Sequence, residues 1–225
     1  LKLIVCGTGS SGNTYLLTNG METLVLDAGV PFLEAKKALN FNIQSIKGVL
    51  PTHKHGDHHA FAHQYEAAGI PVWRAYEGAK HTSRSFGGFK VQAFDVVHNV
   101  PCVGYLIEHE DLGRMIYVTD TEYVKYRFKN LRTILIEANW SRDCVNREDA
   151  KYRHVLTGHM ELNTCLETIK ANATNKLCHV ILCHLSRDNA DPEAFREAAE
   201  EIVPPGCTVD VAKKGLTIDI NEIPF

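Results

Sequence analysis

The sequence has no stretch approaching the roughly 18 consecutive apolar residues that a bilayer-crossing helix needs, so no membrane span is expected. It has no excess of positive charge: 24 Lys and Arg stand against 27 Asp and Glu, a formal net charge of −3. That balance gives no global attraction to nucleic acid or anionic lipid. Only a local basic patch, or bound cations that the count ignores, can supply one. There is no Cys-x-x-Cys pair, and the seven cysteines (6, 102, 144, 165, 178, 183 and 207) are odd in number. They read as small apolar residues in a reducing compartment, the cytoplasm, rather than as a disulfide framework. Internal repeats, low-complexity tracts and Pro- or Ser-rich linkers are absent, so residues 1–225 are expected to form one domain. At this length, with 44% hydrophobic residues, a substantial core can be buried. The opening LKLIVCGTGS lacks a cleavage site and runs into a Gly-rich turn, which makes it a first strand rather than a secretory signal. No initiator Met is present, which leaves open whether Leu1 is the natural start.

What the chain has in quantity is histidine, twelve in all, with five between positions 53 and 63. Around them, short apolar runs of strand length recur between turn signals. Leu3–Cys6, Thr14–Thr18 and Thr23–Leu26 read as consecutive strands, the last two joined by an Asn19-Gly20 turn. Pro31–Leu39 reads as a short helix, Ile46–Leu50 as a buried strand, and His58–Ala68 as a helix ended by Gly69-Ile70-Pro71. Val72–Ala75, Lys90–Val97, the hairpin Gly104–Glu108/Arg114–Thr119, Ile134–Glu137 and His179–Cys183 are further strands. Leu162–Ala173 and Pro192–Ile202 are helices, the second capped by Asp191, and Thr208–Val211 with Leu216–Ile220 are expected to close the chain as a hairpin. This order predicts an α/β fold of two sheets packed face to face with helices outside.

The strand Ile46–Leu50 runs directly into His53-Lys54-His55-Gly56-Asp57-His58. Imidazoles at i and i+2 of an extended loop point to one side and suit one metal; Asp57 and His58, at the mouth of the next helix, suit a second. Imidazole with carboxylate favours zinc, with iron or manganese as alternatives. A chance His-rich loop is the bland alternative, but three more donors stand at strand ends: His98 after DVV, Asp120 after IYVT and His184 after VILC.

With these residues assembled, the sequence resembles the metallo-β-lactamase superfamily over nearly its whole length. Asp27 in VLDAG matches the first motif of that family, HKHGDH the second, and His98, Asp120 and His184 the third to fifth. The resemblance implies an αββα sandwich with two divalent ions. His53, His55 and His98 would hold one; Asp57, His58 and His184 the other; Asp120 would bridge. Asp27 would orient the metal loop without ligating. Such ion pairs activate water and clamp both oxygens of an ester, so the implied chemistry is hydrolysis.

Departures within the superfamily narrow the substrate. True β-lactamases usually carry Cys where Asp120 stands; flavodiiron proteins carry Glu where His55 stands. Only about forty residues follow His184, too few for the C-terminal extension of glyoxalase II, and 120–184 is too short for a β-CASP insert. The segment TILIEANW, ending its strand at Glu137, resembles a ribonuclease Z motif in which a Glu supports a catalytic His. RHVLTGHMELNTCLETI supplies that His at 159. The pair makes physical sense, since the carboxylate raises the proton affinity of an imidazole that protonates the leaving alkoxide. Asp57, Glu137 and His159 are therefore the expected catalytic residues. GTGSSGNTYLL, TDTEYV, LIEANW, TGHMELNTCLETI and LCHLSRDN further resemble the WalJ/YycJ-like group, which is associated with DNA exonuclease activity. The expected partner is a nucleic acid or nucleotide, with hydrolysis of a cyclic nucleotide as the alternative. A homodimer is possible if a second subunit supplies a cap.

Several other features carry two readings. Gly7–Gly12 looks like a phosphate loop, but a strand follows it, so a tight turn near the metals is favoured. Tyr123–Arg132 alternates basic and aromatic residues and is either a nucleic-acid contact through Lys125, Arg127 and Lys129 or an amphipathic helix. His59 and His63 are expected at the rim; His81, His109, His154 and His179 at the surface or at strand ends. Ser186, Arg187 and Asn189 either touch substrate or enter the helix behind Asp191.

Overall fold

The computed structural model describes residues 1–78, 81–145 and 157–221; His154 lies outside them. The described strands form two sheets. The first has the order β12-β1-β2-β3-β4, with β1 Lys2–Gly7, β2 Thr14–Thr18, β3 Thr23–Leu26, β4 Ile46–Leu50 and β12 Thr217–Asp219. The second has the order β11-β10-β9-β8-β7-β6-β5, with β5 Ser83–Phe86, β6 Phe89–Asp95, β7 Val103–His109, β8 Gly113–Val118, β9 Thr133–Glu137, β10 His179–Cys183 and β11 Thr208–Val211. Both are mixed: β3 and β4 run parallel, as do β8, β9, β10 and β11.

The expected αββα sandwich is present, and strand alternation explains it. On β9, Leu135 points into the layer between the sheets, together with Leu17 and Leu26 from the first sheet and Tyr117 and Ile181 from the second. Its neighbours Ile134 and Ile136 point the other way, onto Cys165 and Ile169 of helix α4 (Leu162–Asn172) and Phe195 and Ala199 of helix α5 (Pro192–Glu200). Leu16 and Val25 of the first sheet likewise meet Phe32 and Ala35 of α1 (Phe32–Ala38) and Ala62 and Tyr65 of α3 (Ala62–Ala67). A strand covered on both faces needs apolar residues at every position, which is why these runs read as continuous in the sequence. Asp191 caps α5 as expected, its carboxylate accepting the N–H groups of Glu193 and Ala194.

The structure corrects several elements. The helix expected over His58–Ala68 is two pieces, α2 (Gly56–His59) and α3. The Phe61 N–H leaves the helical ladder for the Ala28 carbonyl at 2.9 Å, tying the break to the loop after β3. β11 and the final strand do not pair as a hairpin: β11 joins β10 in parallel and β12 joins β1 in the other sheet. Val72–Ala75 makes a single bridge to Val49 before a short 3-10 turn at Ala75–Glu77, and the edge strand β5 was not expected. Tyr123–Arg132 contains no helix. Val124, Tyr126 and Phe128 pack onto the helix-side core while Tyr123, Lys125, Arg127 and Lys129 face outward, the two-residue period of extended chain.

Candidate metal centre

The parallel strands of both sheets deliver their carboxyl ends to one place. Asp27 follows β3, Thr52 and His53 follow β4, Asp120 follows β8, and His184 follows β10. Glu137 is the last residue of β9. Asp27, Asp120 and His184 all have left-handed backbones, with φ of 58°, 48° and 53°. That conformation is unfavourable for a residue with a Cβ and persists only where surrounding bonds hold it. Here the Asp27 N–H is bonded to the Leu50 carbonyl, the His184 N–H to Thr8 Oγ1, and the His184 carbonyl to Asn139 Nδ2. A sharp turn at the strand end aims each side chain back over the sheet. Gly29 completes the packing: an ideal Cβ there would lie 1.7 Å from the Asp57 carbonyl oxygen, so only glycine lets the two loops meet.

The expected donors converge into two groups that share Asp120. His53, His55, His98 and Asp120 form one; Asp57, His58, Asp120 and His184 form the other. In each, one ligand atom per residue lies within 4.8 Å of the rest. His53 Nε2 is 3.0 Å from His55 Nδ1 and 3.4 Å from Asp120 Oδ2, and His98 Nε2 is 3.3 Å from His55 Nδ1. On the other side His58 Nε2 is 3.3 Å from both Asp57 Oδ2 and Asp120 Oδ2, and His184 Nε2 is 3.4 Å from Asp57 Oδ2. The remaining nitrogens of four imidazoles are held from behind: His53 Nδ1 by Thr52 Oγ1 (3.0 Å), His58 Nδ1 by Asp27 Oδ2 (2.6 Å), His98 Nδ1 by the Gly158 carbonyl (2.8 Å) and His184 Nδ1 by Glu137 Oε1 (3.0 Å). That arrangement sets the tautomer and leaves the other nitrogen free to coordinate. Asp27 holds its loop as expected, because its other oxygen accepts both the N–H and the hydroxyl of Thr52.

The electrostatics point the same way. Burial disfavours imidazolium at His58 and His184, yet Asp120 leads the carboxylates that outweigh it; His58 is pushed well above the ordinary range and His184 to about 10. On the other side burial wins, helped by neighbouring imidazoles, and holds His98 down to about 4 with His55 also lowered. Burial works against ionised Asp57 and Asp120 too, but hydrogen bonds and charge from the surrounding histidines hold both carboxyls well below the usual range. Ionised carboxylates that draw protons onto His58 and His184, beside His55 and His98 held neutral, form a concentration of negative charge that suits a divalent cation in place of those protons. The residues present fit the ions that the fold implies.

Glu137 and His159 also meet. His159 Nδ1 lies 2.8 Å from Glu137 Oε1, and its ring stacks on His184 at 5.4 Å. The fully buried Glu137 has a wider role than expected. It accepts from the backbone N–H groups of Thr121 and Met160 and faces His184 as well as His159. Burial opposes a charged His159, but Glu137 outweighs that and raises its proton affinity.

Other expectations divide. The Gly7–Gly12 turn does border the cluster: Asn13, just after it, places Nδ2 3.0 Å from His58 Nε2. Asn13 and Tyr117, whose hydroxyl bonds Asp27 at 2.5 Å, were not singled out from the sequence. Asn13 stands in the quoted GTGSSGN, but Tyr117 reads as an ordinary core residue of β8. His59 is half-buried against Arg74 and His63 is exposed, as a rim position requires. His109 ends β7, one of the two kinds of position expected for it, and is buried there because Glu22 reaches its Nε2 at 2.9 Å and Phe89 packs on its ring. Of the basic row, Lys125 is paired with Asp95 at 2.6 Å. A cleft of about 460 Å³ opens beside His98, walled by Tyr76, Val100 and Pro101.

Fold and donor set define a metallohydrolase of the metallo-β-lactamase type. The metallo-β-lactamase superfamily profile matches residues 7–126, more than half the chain, and the protein belongs to that family of hydrolases. A curated relative, exodeoxyribonuclease YycJ of Bacillus anthracis, is 25% identical across 90% of this chain and 89% of its own. Among solved structures, the metallo-β-lactamase fold protein YhfI of Bacillus subtilis superposes with a TM-score of 0.72 at 19% identity, covering 96% of this chain and 98% of that one. The short form of human tRNase Z does so with a TM-score of 0.62 at 14% identity, covering 98% and 99%. No helix among the described residues is long and apolar enough to cross a membrane.

Proposed function

We propose that this protein is a dinuclear metal-dependent phosphodiesterase acting on nucleic acid, and specifically a DNA exonuclease. His53, His55 and His98 would hold one ion, Asp57, His58 and His184 the other, and Asp120 would bridge them; zinc best matches the donor set, with manganese or iron as alternatives. Bound divalent ions supply Lewis acidity for the phosphoryl group and acidify water. The observation that carries the phosphodiesterase reading is the His159–Glu137 pair at 2.8 Å, beside the shared Asp120. Alkoxide leaving groups are poor and need a proton; Glu137 holds Nδ1 of His159 and favours the protonated imidazole that would deliver it. Asp57, partly exposed beside His58 in the second donor group, would orient the attacking water. Support for nucleic acid comes from the exodeoxyribonuclease name of the bacterial relative.

The net charge of −3 favours a second reading, a small substrate such as a cyclic nucleotide that needs no long basic groove. The test is a panel with zinc- or manganese-reconstituted protein: 5′-phosphorylated duplex and single-stranded DNA, RNA, cyclic nucleotides and a thioester, with Asp120→Ala as control. Degradation of DNA from an end supports the exonuclease. Intact DNA with a cleaved cyclic nucleotide moves the assignment to the small substrate. Survival of every substrate with both metals bound removes the enzymatic reading.

A further inference from the structure

A polar cavity of about 410 Å³ lies beside the His184 end of the donor cluster and shares no lining residue with the cleft at His98. Its inner wall belongs to the cluster itself. Thr8 Oγ1 accepts the His184 N–H at 3.1 Å, and the Gly9 N–H donates to Asn13 Oδ1 at 2.9 Å while Asn13 Nδ2 faces His58. Gly9, at φ 84°, brings its turn against the Leu185 carbonyl, where an ideal Cβ would already sit at 3.4 Å.

The outer wall consists of donors without acceptors. The turn Gly9–Gly12 is closed by the Gly12 N–H on the Gly9 carbonyl at 3.0 Å, and its exposed tip, Ser10 and Ser11, lines the cavity and offers two backbone N–H groups and two hydroxyls. None of these four groups has a hydrogen-bond partner among the described residues, and Arg187 across the cavity has neither hydrogen bond nor ion pair there. Ser186 Oγ accepts from Asn189, leaving its proton to donate. Asp188 lines the same cavity, so its ligand is held by directed donors rather than by bulk positive charge. Backbone N–H and hydroxyl donors gathered around one cavity with a guanidinium are the groups that bind phosphate.

We propose that this cavity is a subsite for a second phosphate of the substrate, next along the strand from the group under attack. The proposal rests on the phosphodiesterase reading above and adds residues that it does not use: Ser10, Ser11 and Arg187. In one direction the ligand is a 5′-terminal phosphate, in the other a 3′ phosphate; the chemistry is shared and the test separates them.

The test measures equilibrium binding to the metal-loaded protein of a thymidine dinucleotide with a methylphosphonate linkage, which resists cleavage. It is supplied with a 5′ phosphate, a 3′ phosphate or neither. One terminal phosphate is expected to tighten binding about tenfold or more, as charge-assisted bonds do. Arg187→Ala and the double substitution Ser10→Ala/Ser11→Ala should reduce that gain to within about twofold. Lys36→Ala, an equal charge loss on α1, should keep it. The Ser10, Ser11 and Arg187 side chains are exposed and Lys36 is half-buried over the Phe32 ring, and thermal unfolding checks that each variant is folded. No gain at either end, a gain that survives both substitutions, or an equal loss in Lys36→Ala overturns the subsite. A phosphate gain with no cleavage in the substrate panel sinks the phosphodiesterase reading while the subsite stands. Cleavage with no gain does the reverse.

Discussion

Asp27→Asn separates shape from charge at the donor cluster. The carboxylate is fully buried and receives four donors: the Thr52 N–H (2.7 Å) and hydroxyl (3.0 Å) on Oδ1, His58 Nδ1 (2.6 Å) and the Tyr117 hydroxyl (2.5 Å) on Oδ2. Asparagine keeps the volume and, through its own Oδ1, both bonds to Thr52. Its amide then donates where Oδ2 accepted. Tyr117 can turn its hydroxyl to become the acceptor, but His58 cannot hold a proton on Nδ1 against an N–H. The proton moves to Nε2, the nitrogen 3.3 Å from Asp57 and Asp120, and a protonated Nε2 cannot ligate. Losing such an orienting partner costs about 10–100-fold in metal affinity, or roughly 1.4–2.7 kcal/mol. The assay is chelator competition with metal counted per chain by mass spectrometry. The ion beside His58 should leave at 10–100-fold lower chelator strength, while the His53 group holds its own. Asp27→Ala provides the contrast: it strands buried donors and should cost about 3–5 kcal/mol in stability even without metal. An Asp27→Asn protein that binds both ions with unchanged affinity refutes the role given to Asp27.

His159→Ala should lower kcat about 10²–10⁴-fold on an unactivated phosphodiester but much less on a p-nitrophenyl ester, whose leaving group needs no proton. Equal losses on the two would show that His159 does not deliver a proton. Gly29→Ala should destabilise the protein by about 3 kcal/mol, read as a fall in thermal midpoint, because its methyl meets the Asp57 backbone at 1.7 Å. An unchanged midpoint would contradict the packing of the two loops. A thiol reagent at pH 8 should modify no more than Cys144, Cys178 and Cys207 in the folded protein and all seven cysteines after denaturation. Burial removes the other four from solvent and pushes their thiols up, Cys6 to about 12. Fast native modification of a fourth cysteine would contradict that burial.

The core strands and the metal-ligand candidates were legible because they obey short-range rules. Apolar runs bounded by turns marked β2, β3, β4 and β10 to the residue, and donors at strand ends stood out by type. Elements decided by distant partners were not legible. The break at Phe61 depends on the Ala28 carbonyl, 33 positions earlier, and its local pattern is that of a continuous helix. The last two strands look like a hairpin, but each finds a better edge in a different sheet, beside β10 and beside β1. Edge strand β5 carries SRSF, too polar to announce itself, and is held by pairing with β6.

The sequence by itself determined the chemistry on offer: which side chains are imidazole or carboxylate, and that they follow strands, whose ends are rigid. The tertiary structure alone decided how each donor is used. Only when the two sheets stack do Asp27 and Tyr117, ninety positions apart, reach one another and dictate which nitrogen of His58 is free. Only then does Glu137 serve both His159 and His184. Hydrogen bonds and charge act over a few ångströms of space regardless of separation along the chain, so a tautomer, a shared carboxylate or a cradle of unpaired donors exists only in the folded protein.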